Sequence, residues 1–364
     1  MANLSAYKLS FVLTKPTGEP IGEAIRAASR TLQRRLNTPG VATVQLQLED
    51  AMALQIQPGQ SRLRIYRSAT ASELALNPAA PKVLLWYGSL PAEGVTEETD
   101  SGLMTLAFQD PRWVLRQRFL TAPAAFTATD QGSILGSIVT TQNSRQQTWL
   151  TPGGTTGILR DRTYDGGKNV ADLVDEMTKV ISGCDVDVVP ADGYTTSGTR
   201  AMGSMNFYAR QGTDRPTVLF FYTSRGGGNI TGVKSSYAPI LTSSTQQGTA
   251  SDGTSTAQTF TTATAYDLLE QYDTASDAST AATLLDKASG VVAENASLRR
   301  IVDIGDPTWE APQPYSDYDL GDTVRVTARR GTLALDRVSM RVMGYDLAAD
   351  QEGNVTSRPI LVAS

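Results

Sequence analysis

The chemistry open to this chain is limited first by a missing residue type: none of its 364 residues is histidine. That removes Ser-His-Asp and Cys-His catalysis, the HExxH metalloprotease site and imidazole-ligated zinc together. The single cysteine, Cys184 in "VISGCDVDVV", has no disulfide partner within the chain and no histidine base beside it. It reads as a small buried side chain. Carboxylates remain, as Glu93, Glu97, Glu98 and Asp100 in "EGVTEETD" and as Asp185 and Asp187 in "DVDVV". A glycosidase needs two carboxylates facing each other across a sugar cleft, and no pair here is privileged; acidic turns between strands are ordinarily solvated. The turn "DYDLGD" (317–322) offers oxygen ligands to a hard cation such as calcium but lacks EF-hand spacing. In "GGGNITGVKSS" (226–236), Gly227 and Gly232 have P-loop separation, but Val233 stands where the lysine belongs and Lys234 comes one residue late. The expectation is a hairpin loop there and, for the chain, no catalytic residue, no metal and no cofactor. It does not read as an enzyme.

The elements that would position these residues are mostly strands. Hydrophobic residues make up 40% of the chain and charged ones 19%, enough for two to four packed domains. The net charge of −5 argues against a dedicated nucleic-acid binder. The opening "MANLSAYKLSFVLTKPTG" lacks the pattern of a secretory signal, and no window is apolar enough for a membrane span, so a soluble product is expected. Within residues 1–125, "KLSFVLT", "RTLQRRLNTPGVATVQLQLED", "SRLRIYRSA", "KVLLWYGSLP" and "GLMTLAFQD" alternate as short strands. In "DPRWVLRQRFL" Asp110 and Pro111 predict a short helix start, with Trp113, Val114 and Leu115 closing the bottom of that β-unit.

Residues 126–205 read as a small α+β unit. Its first part is polar and rich in Gly and Thr. A helix over 168–183 then carries Val170, Leu173, Val174, Met177, Val180 and Ile181 on one stripe, with Asn169 as N-cap and Gly183 as C-cap. The segment 204–232 reads as a hairpin whose strands carry Phe207 and Tyr208 and then "TVLFFYT". Residues 241–264 hold 13 Ser or Thr in 24, too little apolar area to fold alone. A second helix over 276–296 presents Ala278, Ala281, Ala282, Leu285, Val291 and Val292. The last fifty residues return to strands, with Val324, Val326, Val338, Met340 and Val342 turned inward. The four tryptophans, Trp86, Trp113, Trp149 and Trp309, read as core or interface anchors, or as a sugar platform.

The phrase "RLNTPG" followed by an alternating strand resembles the opening of minor tail or baseplate hub proteins of long-tailed bacteriophages. "YSDYDLGDTVRVTARRGTLALDRVSMRVMGYDLAADQEGNVTSRPIL" is similar to their closing domain, and "NVADLVDEM" and "ARQGTDRPTVLFFYTSRGGGN" to segments between. The resemblance implies a mainly β fold with α+β insertions, in which two tail-tube-like β-barrels are joined by two smaller domains. The first barrel would be 1–125, the small α+β domain 126–205, the second barrel 206–230 with 311–364, and the inserted domain 231–310. It further implies a trimer whose six barrels form a ring between a hexameric tail tube and the tip or central fibre. Its partners would be the tail-tube or distal tail protein, the tape measure protein and the tip or fibre proteins. Genomic DNA would cross the lumen unbound, and an acidic chain suits such a lumen. The location implied is the virion tail tip, after synthesis in the bacterial host. With no peptidase- or lysozyme-like extension, wall digestion would fall to other chains. The alternatives are a carbohydrate-binding tail adhesin, a hexameric distal tail protein and a histidine-free carboxylate hydrolase.

Overall fold

Alternation of apolar and polar residues accounts for most of what the chain builds. The computed structural model describes residues 7–68, 82–180, 182–194, 200–223, 227–249, 254–274, 280–298, 300–308 and 310–363. Ala278, Ile181 and Trp309 lie outside these. The first β-unit comprises β1 (Leu9–Thr14), β2 (Pro20–Glu23), β3 (Ser29–Arg35), β4 (Val41–Gln47), β5 (Arg62–Ser68), β6 (Lys82–Ser89), β7 (Val95–Glu98) and β8 (Leu103–Gln109). Every strand read in this region is present. In β4 the period of two puts Ala42, Val44 and Leu46 in the core, fully buried.

The chain then leaves for a second core. A single-turn α1 (Trp113–Arg116) is succeeded by β9 (Ala124–Asp130), α2 (Gln131–Arg145), β10 (Leu150–Gly153), β11 (Leu159–Tyr164), α3 (Val170–Lys179), β12 (Asp185–Tyr194) and β13 (Arg200–Tyr208). Leu115 and Leu120 pack in this second core rather than under the first β-unit. Helix α2 escaped the sequence reading because polar residues dominate it; its apolar contribution is only Ile134, Leu135, Ile138 and Val139, all buried. The Asp130 carboxylate caps it, accepting from the Ser133 amide at 3.0 Å. Helix α3 carries the expected stripe and Asn169 caps it through the Ala171 amide at 2.9 Å. It stops at Lys179, short of Gly183. Gly183 is needed for a different reason: a Cβ there would lie 2.6 Å from the Met177 carbonyl oxygen.

The hairpin expected over 204–232 does not form. Strand β13 pairs with β12 antiparallel and with β10 in parallel, because Met205 and Phe207 point into the second core. The chain next turns at Gly212 into β14 (Asp214–Thr223), which lies parallel to β20 (Thr323–Arg330) more than a hundred residues later. The second β-unit is completed by β15 (Val233–Tyr237), β19 (Arg300–Ile304), β21 (Leu333–Ala349) and β22 (Val355–Ala363). Between β15 and β19 sits a three-stranded sheet of β16 (Ser243–Thr249), β17 (Ser255–Thr261) and β18 (Glu270–Thr274), and then α4 (Ala281–Asn295). Within the Ser/Thr-rich segment, Ser243–Thr249 and Ser255–Thr261 are therefore strands. On α4 the buried apolar side chains include Leu284, Ala288 and Val292, spaced by four, whereas Ala281, Ala282 and Leu285 are exposed. The stripe is thus rotated from the one expected, since the adjoining Asp286 and Lys287 must face ionic partners on the α+β unit.

The two β-units are fused. The 17-residue β21 pairs with β20 and β22, and its C-terminal half also pairs with β3, making one 14-stranded sheet over one contiguous core. Among the described residues the strand ladder does not close into a barrel. The turn "YDLGD" is where the split second unit is stitched. Gly321 and Gly212 both have positive φ and meet back to back: a Cβ on Gly321 would lie 2.4 Å from the Gln211 carbonyl oxygen. Beyond it Val324 and Val326 enter the core fully buried, as expected. Replacing Gly321 by alanine adds a left-handed strain and a backbone clash, and should cost about 1–3 kcal/mol in chemical denaturation. Gly331→Ala, also at positive φ but with open space around it, should cost less.

Candidate functional site

One face of β12 gathers charges from every large part of the chain. Val186 and Val188 turn into the second core, so the alternation sends Asp185 and Asp187 to the opposite face, where both are buried. Buried carboxylates need cationic or hydrogen-bonding partners. Asp187 accepts from Arg34 Nη2 of β3 at 2.8 Å and from Gln211 Nε2 at 3.3 Å. Asp185 pairs with Arg341 of β21, and accepts from the Gln211 amide at 2.6 Å and Asn37 Nδ2 at 3.2 Å. The acids read as solvated or catalytic candidates are consumed in a structural junction.

The "RLNTPG" turn between β3 and β4 enters the same junction. Asn37 adopts φ 67°, a conformation asparagine tolerates better than most residues. Its amide donates to the Val186 carbonyl at 3.1 Å and its Oδ1 accepts from the Val186 amide at 2.8 Å, so the turn docks on β12 as a short piece of backbone would. Arg112 closes the other side. Its guanidinium is held by Asp110 at 3.0 Å and donates to the carbonyls of Val186 at 3.3 Å and Thr38 at 2.7 Å.

Arg34 also reaches the "YDLGD" region. It donates to Tyr315 Oη at 3.2 Å and Tyr345 Oη at 3.3 Å, and Tyr345 in turn donates to Asp319 at 3.0 Å. Burial pushes the Tyr345 phenol well above its ordinary range, so it stays a donor. Asp322, buried beside Gly321, accepts from the Thr213 amide at 2.6 Å and from Arg215 Nε at 3.2 Å. The two motifs that carried the family resemblance are thus joined through Arg34.

A second ionic junction holds the inserted helix. Asp286 of α4 faces Arg162 at 2.8 Å and Arg160 at 3.3 Å, and Lys287 faces Glu176 of α3 at 3.2 Å. A cleft of about 390 Å³ between these helices has lining of mixed charge, including Asp175, Glu176, Lys179 and Lys287.

The other sequence candidates are scattered. Cys184 is buried, and burial pushes its thiol up to about 12, so it is an unreactive core residue. Glu93, Glu97, Glu98 and Asp100 are exposed around β7. Val233 and Lys234 lie in β15, so no helix succeeds the glycine loop and its phosphate geometry is missing. Asp317 and Asp319 accept from nearby amides within their own turn; no metal-ligating cluster occurs among the described residues. Trp86 is buried, and Trp113 and Trp149 are half-buried. No described helix is long and apolar enough to cross a membrane. The arginines went unread, although one signal existed: in "SRTLQRR" Arg30 and Arg34 share the parity of the buried Leu32.

No family model and no curated protein matches the sequence. Solved structures do match over the whole length. A tail protein from Neisseria meningitidis MC58 superposes with a TM-score of 0.60 at 9% identity, covering 98% of this chain and 96% of that one. The 43 kDa tail protein of prophage MuSo2 from Shewanella oneidensis gives 0.59 at 10% identity, over 97% and 98%. The chain has the fold of phage tail proteins. Prophage tail protein gp18 from Listeria monocytogenes EGD-e shares this fold too, at 0.56 and 10% identity over 98% and 94%.

The junction makes two outcomes testable. Arg34→Met leaves Asp187 buried without its closest cation and should cost about 3–5 kcal/mol, whereas Arg34→Met with Asp187→Leu should recover most of it; urea melts of the single and double variants read this. Burial raises the Asp187 carboxyl, but Arg34 and Arg112 outweigh it and hold the group below its ordinary value. Its stabilisation is therefore complete above the unfolded pKa of about 3.9 and is lost as pH falls through that value towards the folded one. Acid should lower the urea midpoint of the wild type more steeply than that of Asp187→Asn.

Proposed function

We propose that this chain is a structural protein of a phage tail tip, a baseplate hub whose copies form a ring joining the hexameric tail tube to the tip or central fibre. The observation that carries this reading is the fusion of two β-units into one sheet through β21 and β3, in a fold that phage tail proteins share end to end. A chain holding two such units lets three copies present six, which matches a three-fold tip to a six-fold tube. The domain division on this reading is a first β-unit, a small α+β domain, and a second β-unit interrupted by an inserted domain. Neighbours in the assembly would be the tail-tube or distal tail protein, the tape measure protein and the tip proteins, all within the virion tail.

The outward face of the fused sheet suits DNA passage without adhesion. Opposite the core, β3, β4 and β8 present Thr31, Gln33, Thr43, Gln45 and Thr105. Two charge pairs also lie on the sheet, Arg35 with Asp346 at 2.5 Å and Arg358 with Asp303 at 2.9 Å. A lumen lined by this face would be nearly neutral rather than acidic, and would offer phosphates no net positive charge.

Light-scattering mass with negative-stain imaging of the purified protein tests this. The expected result is a six-lobed ring of three times the 38.9 kDa chain mass. Six chains in a six-fold ring would mean a distal tail protein instead. A single chain at every concentration, with measurable glycan binding, would overturn the hub reading in favour of an adhesin.

A further inference from the structure

Charge is segregated along this chain, and its own fold neutralises only part of it: Arg325 pairs with Asp214 and Arg341 with Asp185. Between Lys234 and Lys287 there is no lysine or arginine, and six acids occur. Between Thr323 and Arg341 there are five arginines and one acid, Asp336. Asp286 is satisfied by Arg160 and Arg162, but Asp267 and Glu270 form no ion pair among the described residues, and neither do Arg329 and Arg330 at the tip of the β20–β21 hairpin. All four are exposed.

The acidic segment also concentrates exposed apolar surface. From Tyr266 to Tyr272 every residue is exposed, with Leu268 at 62% and Tyr272 at 61%. Among the described residues strand β18 pairs only with β16, leaving its other edge unpaired. An apolar centre rimmed by like charge is the anatomy of an interface rather than of a solvated loop. The basic hairpin has the complementary form. Arg329 and Arg330 flank the exposed turn at Gly331, Arg330 donates to Tyr222 Oη at 3.2 Å, and Arg337 is exposed on the returning strand. Its neighbour β14 pairs with β20, and Asn229 covers part of its other edge by bonding the backbone of Leu219 and Phe221.

We infer that the Tyr266–Tyr272 segment of one copy seats on the Arg329–Arg330 hairpin of the next copy. Two unlike patches of opposite sign on one chain make a head-to-tail contact, and such a contact closes into a ring when its rotation permits. The occupant is a second copy because the complementary patch is carried by the same sequence. Opposite potentials steer the encounter and fix its register, while Leu268 and Leu269 supply the area removed from water. The inference rests on the ring reading above and specifies the contact that builds the ring.

Charge reversal separates the two. Arg329→Glu/Arg330→Glu and Asp267→Arg/Glu270→Arg should each lose the assembled species at concentrations where the wild type is assembled. The quadruple variant, with the pairing inverted, should regain it. Circular dichroism and melting temperature verify that each variant is folded. Reversals that keep full mass, or a folded quadruple variant that stays dissociated, would overturn this contact and leave the ring standing. A wild type that never assembles would overturn both. Should a reversal unfold the chain, Asp267→Asn/Glu270→Gln serves in its place: the contact requires that assembly weaken and lose most of its salt dependence, and an unchanged salt response would overturn it.

Discussion

The architecture depends on two aspartates that a strand is obliged to bury. Strand β12 must turn Val186 and Val188 into the α+β core, and the pleat then drives Asp185 and Asp187 into the space between that core and the β-units. Desolvating a carboxylate costs several kcal/mol unless cations and donors replace water. Arg34 from the first β-unit and Arg341 from the second supply them, with Asn37 and Gln211 filling the remaining acceptor sites. Any sliding of one unit against another would strand a buried charge. A junction of this kind adds little net stability compared with an apolar one, but it admits few alternative geometries.

The same constraint explains the path of the chain. Asp185 and Asp187 accept from residue 211, and Gly212 and Gly321 touch immediately afterwards, so the chain leaves the α+β unit beside the place where β20 will later begin. Strand β14 can then lie parallel to β20, and a parallel pair requires a long crossover between its members. The crossover holds the inserted sheet and α4, which are tied back to the α+β unit through Asp286 and Lys287. The inserted sheet and α4 thus lie within the connection between the two members of one parallel strand pair, along with β15 and β19 of the main sheet.

On the proposed reading, a part that joins a tube to a tip needs internal rigidity and unsatisfied surface, in different places. Rigidity resides in the buried ion pairs and in β21, which belongs to both β-units at once. Unsatisfied surface lies at the extremities: an acidic, apolar strand edge in the insertion and an arginine-bearing hairpin on the second β-unit. Elsewhere β3, β4 and β8 present polar residues, with Arg35 paired to Asp346.

Local order was written plainly in the sequence. Alternation in "VATVQLQ" and "DTVRVTA", the stripe and N-cap of α3 and the glycine at the "YDLGD" turn all describe interactions within a few residues, where one side chain's neighbours can be counted along the chain. The resemblance of "RLNTPG" and "YDLGD" to tail proteins also pointed to the fold. Pairing was not legible. Whether Phe207 turns back on "TVLFFYT" or joins β12 depends on which core its strand must face, and that core is assembled from helices α2 and α3, which lie well upstream of it. The face of α4 was misjudged for the same reason, since Arg160, Arg162 and Glu176 select it from a distance. Asp187 shows the limit most sharply. By composition it is one more acid in a short alternating strand; only the three-dimensional approach of Arg34 makes it a buried ion, because Coulomb attraction acts through space and the sequence records only order along a line.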